Sequence, residues 1–109
     1  MSSVIRWTTP TFEFPFDEDI DVSDIDSAYL VLKQWRNTIV SKDITEANID
    51  TDANTISWTL TQAETGLIAN GKKCEVMCDW LLSDGTRGRS GVAPYSVEDS
   101  GINEVISNE

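Results

Sequence analysis

The chain has 109 residues, 39% of them hydrophobic, and its 19 acidic and 8 basic side chains give a formal net charge of −11. One domain of that length buries roughly two-thirds of its unfolded surface, so a core needs neither disulfides nor metal. The charge and the lack of a basic stripe exclude nucleic acid and anionic membranes as partners, and no apolar run reaches the ~20 residues of a membrane span.

Met1-Ser2-Ser3 shows neither the basic nor the apolar region of a signal peptide, so synthesis in a cytoplasm is expected, with exit by lysis or inside a larger particle. Val4 to Thr9 predicts a short first strand ahead of Pro10. Thr11-Phe12-Glu13-Phe14-Pro15-Phe16 then places three phenylalanines on one face of a strand. Pro15 has no N–H to donate, which makes this an edge strand or a bulge. Asp17 to Asp26 holds six acidic residues in ten and no base, and reads as a loop.

Ser27 to Arg36 is the next predicted strand, with Ala28, Leu30 and Leu32 on one face and Tyr29, Val31 and Trp35 on the other. Asn37 marks a turn into a short return strand, Thr38 to Lys42, whose main apolar residue is Ile39. Asp43 to Asn54 is polar and acidic, anchored by Ile49 and turned by Asp52-Ala53-Asn54.

From Asn54 to Leu82 the pattern is clearest. Ile56, Trp58 and Leu60 alternate with hydroxyl residues, the period of a strand with one buried face. Thr61 stands three residues before Glu64, the spacing of a capping box that opens a helical turn over about 62–68. Asn70-Gly71 closes that turn, and Cys74, Val76, Cys78, Trp80 and Leu82 alternate along the following strand. Ser83-Asp84-Gly85 is a hairpin signal, and Thr86 to Val97 returns with an interruption at Gly88, Gly91 and Pro94. Residues 99–109 form a short acidic tail in which Ile102, Val105 and Ile106 are free to dock on the domain or on a neighbour.

Six to seven short strands with one helical turn predict a single all-β domain, 1–109, with the architecture of an immunoglobulin-like β-sandwich. Its expected core is Phe12, Phe14, Leu30, Leu32, Ile56, Trp58, Leu60, Val76, Cys78 and Trp80. Cys74 and Cys78 share a strand face about 13 Å apart, beyond the ~7 Å limit for a disulfide, and read as buried free thiols.

The chain contains no histidine, which removes most triads, most zinc sites and the commonest general base. No catalytic, cofactor-binding or metal-ligating residue is assigned, and the protein is not read as an enzyme. Asp17, Asp19 and Asp21 have the spacing of the first ligands of an EF-hand, but Val22 stands where that loop needs Gly and Ala28 where it needs Glu. A looser calcium site built from this loop and another carboxylate stays open. Trp58 and Trp80 fall on core faces, whereas Trp7 and Trp35 are expected at the surface, where they form a candidate contact platform.

Thr8-Thr9-Pro10-Thr11-Phe12-Glu13-Phe14, the Leu30 to Trp35 strand with Lys33-Gln34, Asn54-Thr55-Ile56-Ser57 and Leu60-Thr61-Gln62-Ala63-Glu64-Thr65 occur in an order that resembles a family of small phage and prophage proteins of Gram-positive, especially clostridial, bacteria. The strand, Leu-Thr-Gln-x-Glu-Thr, strand unit is also similar to the N-terminal immunoglobulin-like domain of phage baseplate upper proteins. The resemblance implies a virion-associated structural or accessory protein of tail, baseplate or head. Its implied partners are other phage structural proteins and copies of itself, and it transfers no catalytic residue. Phe12 to Phe16 and Ile102 to Ile106 are the expected contact elements. The alternative is a carbohydrate- or calcium-dependent adhesion module using exposed aromatics and the 17–26 loop.

Overall fold

In the computed structural model, residues 2–107 are described; Met1 and the last two residues of the acidic tail lie outside the described residues. The strands are β1 (Ser2–Ile5), β2 (Thr11–Pro15), β3 (Ile25–Gln34), β4 (Asn37–Asp43), β5 (Ile49–Asp50), β6 (Thr55–Thr59), β7 (Cys74–Leu82), β8 (Arg87–Arg89) and β9 (Ala93–Glu98), with one helical turn, α1 (Gln62–Gly66), between β6 and β7. The larger sheet runs β1-β9-β7-β3-β4 with β8 also on β7, and the smaller runs β2-β6-β5. Pairing is antiparallel except for β1, which lies parallel to β9 with Val4 opposite Val97. Two packed sheets with this division of strands form an immunoglobulin-like sandwich.

Alternation sets the faces, and the inward set meets in the middle. Leu30, Leu32, Ile56, Leu60, Ile68 and Cys78 are fully buried, with Trp58 at 1% exposure. Phe12 and Val76 are buried beside them, while Phe14 and Trp80 pack on the core from its rim, only partly covered. The three phenylalanines of the β2 segment all turn inward. Phe12 meets Tyr95 edge-on at 5.5 Å between centroids, Phe14 meets Trp58 at 5.9 Å, and Phe16 meets Trp80 at 4.9 Å. The expectation that Phe12 to Phe16 is a contact surface is therefore corrected: its side chains are spent on the core, leaving the backbone edge of β2.

Other boundaries also move. The first strand ends at Ile5 because the chain turns at Arg6-Trp7, with Trp7 at φ 65° and the Arg6 amide bonded to the Glu98 carbonyl. The 17–26 segment is not wholly loop: residues 22–24 form a 3-10 turn that drops Val22 into the core, and β3 begins at Ile25. The β3–β4 turn is Trp35-Arg36, not Asn37, which pairs with Gln34 across a two-residue connection. Both turn residues have positive φ, 55° and 72°, the geometry of a type I′ hairpin. On β4 the register shifts beside Ile39, so that Val40, opposite Leu32, is the buried residue and Ile39 is only half-buried.

The interruption after β8 lies at Ser90. Its amide donates to the Cys78 carbonyl and its hydroxyl accepts from the Cys78 amide, each at 2.8 Å, so a side chain replaces one rung of the ladder. Gly88 is required there because a Cβ would sit 2.5 Å from the Trp80 ring.

Candidate interaction surface

The acidic 17–26 loop is held by one residue from the turn that precedes β6. Asn54, at φ 53°, donates through its side-chain amide to the carbonyls of Phe16, Asp17 and Ile20 at 3.0, 3.2 and 2.8 Å, and its Oδ1 accepts from the Val22 amide at 3.0 Å. Asparagine tolerates the left-handed backbone better than most residues, and its amide offers donors and an acceptor together. The loop is thus ordered from within, with its carboxylates turned outward.

Those carboxylates do not converge. Asp21 accepts from the Ser23 hydroxyl and amide at 2.7 and 2.9 Å, and these bonds hold its pKa below the usual carboxylate range. Among the described residues no three His, Cys, Asp or Glu side chains are grouped to hold a metal. At the same end of the molecule, the Asp84 carboxylate caps the β7–β8 hairpin through the Thr86 amide, which lowers its pKa likewise. The Ser83 amide bonds the Asp24 carbonyl and ties that hairpin to the loop.

At the other end of β3 stands Trp35. It is 75% exposed, with the Lys72 ammonium 6.0 Å from its ring centre. Trp35, Gly71, Lys72, Lys73, Glu75 and Pro94 line an open cleft of about 440 Å³. Trp7 does not join this platform, contrary to expectation. It is half-buried against Gly66, where a Cβ would meet the ring at 2.5 Å, and the Arg6 guanidinium lies 5.9 Å from its ring centre. The tail meets α1 through its backbone: the Ile106 amide donates to Gln62 Oε1 at 2.7 Å and Gln62 Nε2 donates back to the Ile106 carbonyl at 3.1 Å. Ile102, Val105 and Ile106 remain more than half exposed.

The capping box forms as the spacing predicts. The Glu64 amide donates to Thr61 Oγ1 at 3.2 Å, the Thr61 amide donates to Glu64 Oε1 at 2.8 Å, and Lys42 Nζ lies 3.0 Å from the same oxygen. Burial of the Glu64 carboxyl works to raise its pKa, but the Thr61 amide and the Lys42 ammonium together outweigh it and hold the value below 4.5. A lowered folded-state pKa contributes stability that is present above the unfolded value and lost as pH falls through the folded one. Thr61→Ala should cost about 1 kcal/mol at neutral pH, read as a lower urea midpoint. Glu64→Gln should flatten the decline in stability between about pH 5 and 3.

Cys74 and Cys78 are free, buried thiols, and burial pushes their pKa values up to about 11 and about 12. Native protein should label slowly with thiol reagents and rapidly once unfolded; fast native labelling of both would contradict the packing.

No protein-family model matches the chain, and no curated protein aligns with it significantly.

Proposed function

We propose that this chain is a virion-associated structural or accessory protein of a phage or prophage, made in the bacterial host cytoplasm and working by protein–protein contact, without catalysis. The observation that carries the reading is the place of the Leu60 to Thr65 motif. It forms a capped turn joining β6 and β7 of the sandwich, the strand, turn, strand order on which the resemblance to the baseplate domain rests. The contact surfaces are Trp35 with its neighbouring bases and the apolar side chains of the tail. Mass spectrometry of purified particles after prophage induction tests the reading. Stoichiometric recovery of the chain with tail, baseplate or head proteins is expected, and its presence only in the unassembled lysate fraction would defeat the proposal.

A second reading, a glycan-binding adhesion module, is favoured by one observation, the 75% exposure of Trp35, an aromatic ring of the kind that stacks on a sugar. Binding to a cell-wall glycan array that is lost in Trp35→Ala would move the assignment there. The calcium-dependent form of that reading has less support, because Asp21 is committed to its cap and Asn54 already orders the loop.

A further inference from the structure

Charge is distributed unevenly along β3. At its start lie Asp17, Glu18, Asp19, Asp21, Asp24 and Asp26, joined by Asp84 from the β7–β8 hairpin and by Asp50 and Asp52 from the turn that leads to Asn54. None of these carboxylates is in an ion pair among the described residues. At its far end, ten residues and roughly 30 Å away, lie Lys33, Arg36, Lys72 and Lys73, half of the eight bases in the chain. Three of the remaining bases, Arg6, Lys42 and Arg87, are paired with Asp99, Glu64 and Asp79. The acids at the basic end are Glu75, opposite Lys33 on the ladder, exposed Glu98 at the end of β9, and Asp99, which is held by Arg6 and Asn70; the bases nearest the acidic end are Arg87, paired with Asp79, and Arg89, both on β8.

An exposed tryptophan marks the centre of the basic end. Trp35 sits at φ 55° in a turn where glycine or asparagine is the usual choice, a conformation that a bulky side chain resists. The turn nonetheless presents an indole 75% exposed, with a cation beside its face. Tryptophan and arginine are among the side chains that dominate protein interfaces when buried by a partner, and the neighbouring lysines add charge that steers an acidic one.

We propose that copies of this chain associate head to tail, the acidic 17–26 end of one seating on the Trp35 platform of the next. Charge complementarity chooses the occupant. Two chains of net charge −11 repel in most orientations, and this end-to-end pose sets an unpaired acidic surface against the main group of unpaired bases. The contact is heterologous, so each added copy leaves one end of either kind free and the series grows unless rotation closes it into a ring. This inference rests on the reading of the protein as an assembly component and names the surface by which it would assemble.

Sedimentation velocity of the full chain over a concentration series tests it, at about 20 mM and about 500 mM salt. The expected result is an average mass that climbs with concentration at low salt and returns towards the monomer at high salt. Trp35→Ser should weaken association about tenfold, and so should the triple variant Asp17→Asn, Glu18→Gln, Asp19→Asn, with unchanged far-UV circular dichroism in both. Mixed together, these two variants should form a 1:1 dimer that goes no further, since each keeps one intact end. Association that ignores salt and survives in both variants would overturn the head-to-tail contact while leaving an assembly role through other surfaces. A strict monomer throughout would also overturn it, with recovery in particles still deciding the assembly reading separately. Binding of poly-glutamate at Trp35 without self-association would assign the platform to a foreign acidic partner and likewise overturn the proposal.

Discussion

Asn54→Ala is expected to lower the stability of the fold by about 3 kcal/mol, among the largest effects of any polar substitution in the chain. The loss has two sources. Three loop carbonyls and the Val22 amide lose their partner at once, and for all but the exposed Asp17 carbonyl the setting is part-buried, where water replaces the bond incompletely. Alanine must also adopt φ 53°, which its Cβ resists. Asn54→Gly separates the two, since it keeps the backbone relaxed but loses the bonds, and should recover about 1 kcal/mol of the deficit. Asn54→Asp keeps the acceptor for Val22 but replaces the donors with a charge facing three carbonyls, and should be no better than alanine. Urea midpoints rank the series. A wild-type midpoint for Asn54→Ala would show that the loop does not depend on this clamp.

Trp58→Ala is expected to cost about 3–5 kcal/mol and to lower the melting temperature by roughly 15–20 °C. The indole is 1% exposed, touches Phe14 edge-on and lies between the two sheets, so its removal opens a cavity that both would have to close. Its Nε1 also donates to the Asp43 carbonyl at 3.0 Å, which ties the end of β4 to the opposite sheet. Trp58→Phe retains most of the apolar volume and strands that carbonyl, for an expected cost nearer 1–2 kcal/mol, again with about that spread from one site to another. Thermal melts of the two variants separate packing from hydrogen bonding.

Features written in adjacent residues were legible before the fold was known. The alternation from Ile56 to Leu60 depends on nothing beyond the strand itself, and the Thr61/Glu64 box is encoded within four positions; along β7 the predicted alternation is blurred, since Met77 is buried between Val76 and Cys78 and Asp79 to Leu82 are all half-buried. What was hidden depends on partners far along the chain. Asn54 looks like an ordinary turn residue, yet its amide reaches carbonyls 34 to 38 positions away. Val22 sits in an acidic run and is buried because that clamp draws the loop inward. The bulge beside Ile39 shifts the phase of β4 by one residue, so simple alternation selects the wrong apolar side chain. Trp35 is exposed because it occupies the tip of a two-residue type I′ turn, a place that strand periodicity does not mark and that glycine or asparagine usually fills.

The parallel pairing of β1 with β9 also dictates the order in which the molecule can be completed. The two strands meet across 93 positions, and Val4, 1% exposed in the finished fold, has its ladder neighbour Val97 on the later strand. A ribosome therefore delivers β1 long before anything exists to cover it, while the two-residue β3–β4 hairpin can close as soon as it emerges. Until β9 arrives, the flank of β7 from Cys74 to Val76 stays open and Val4 faces water. Chains halted before Ala93 should therefore be the species most exposed to proteases and to mispairing, and the final strand acts as the latch that ends this interval.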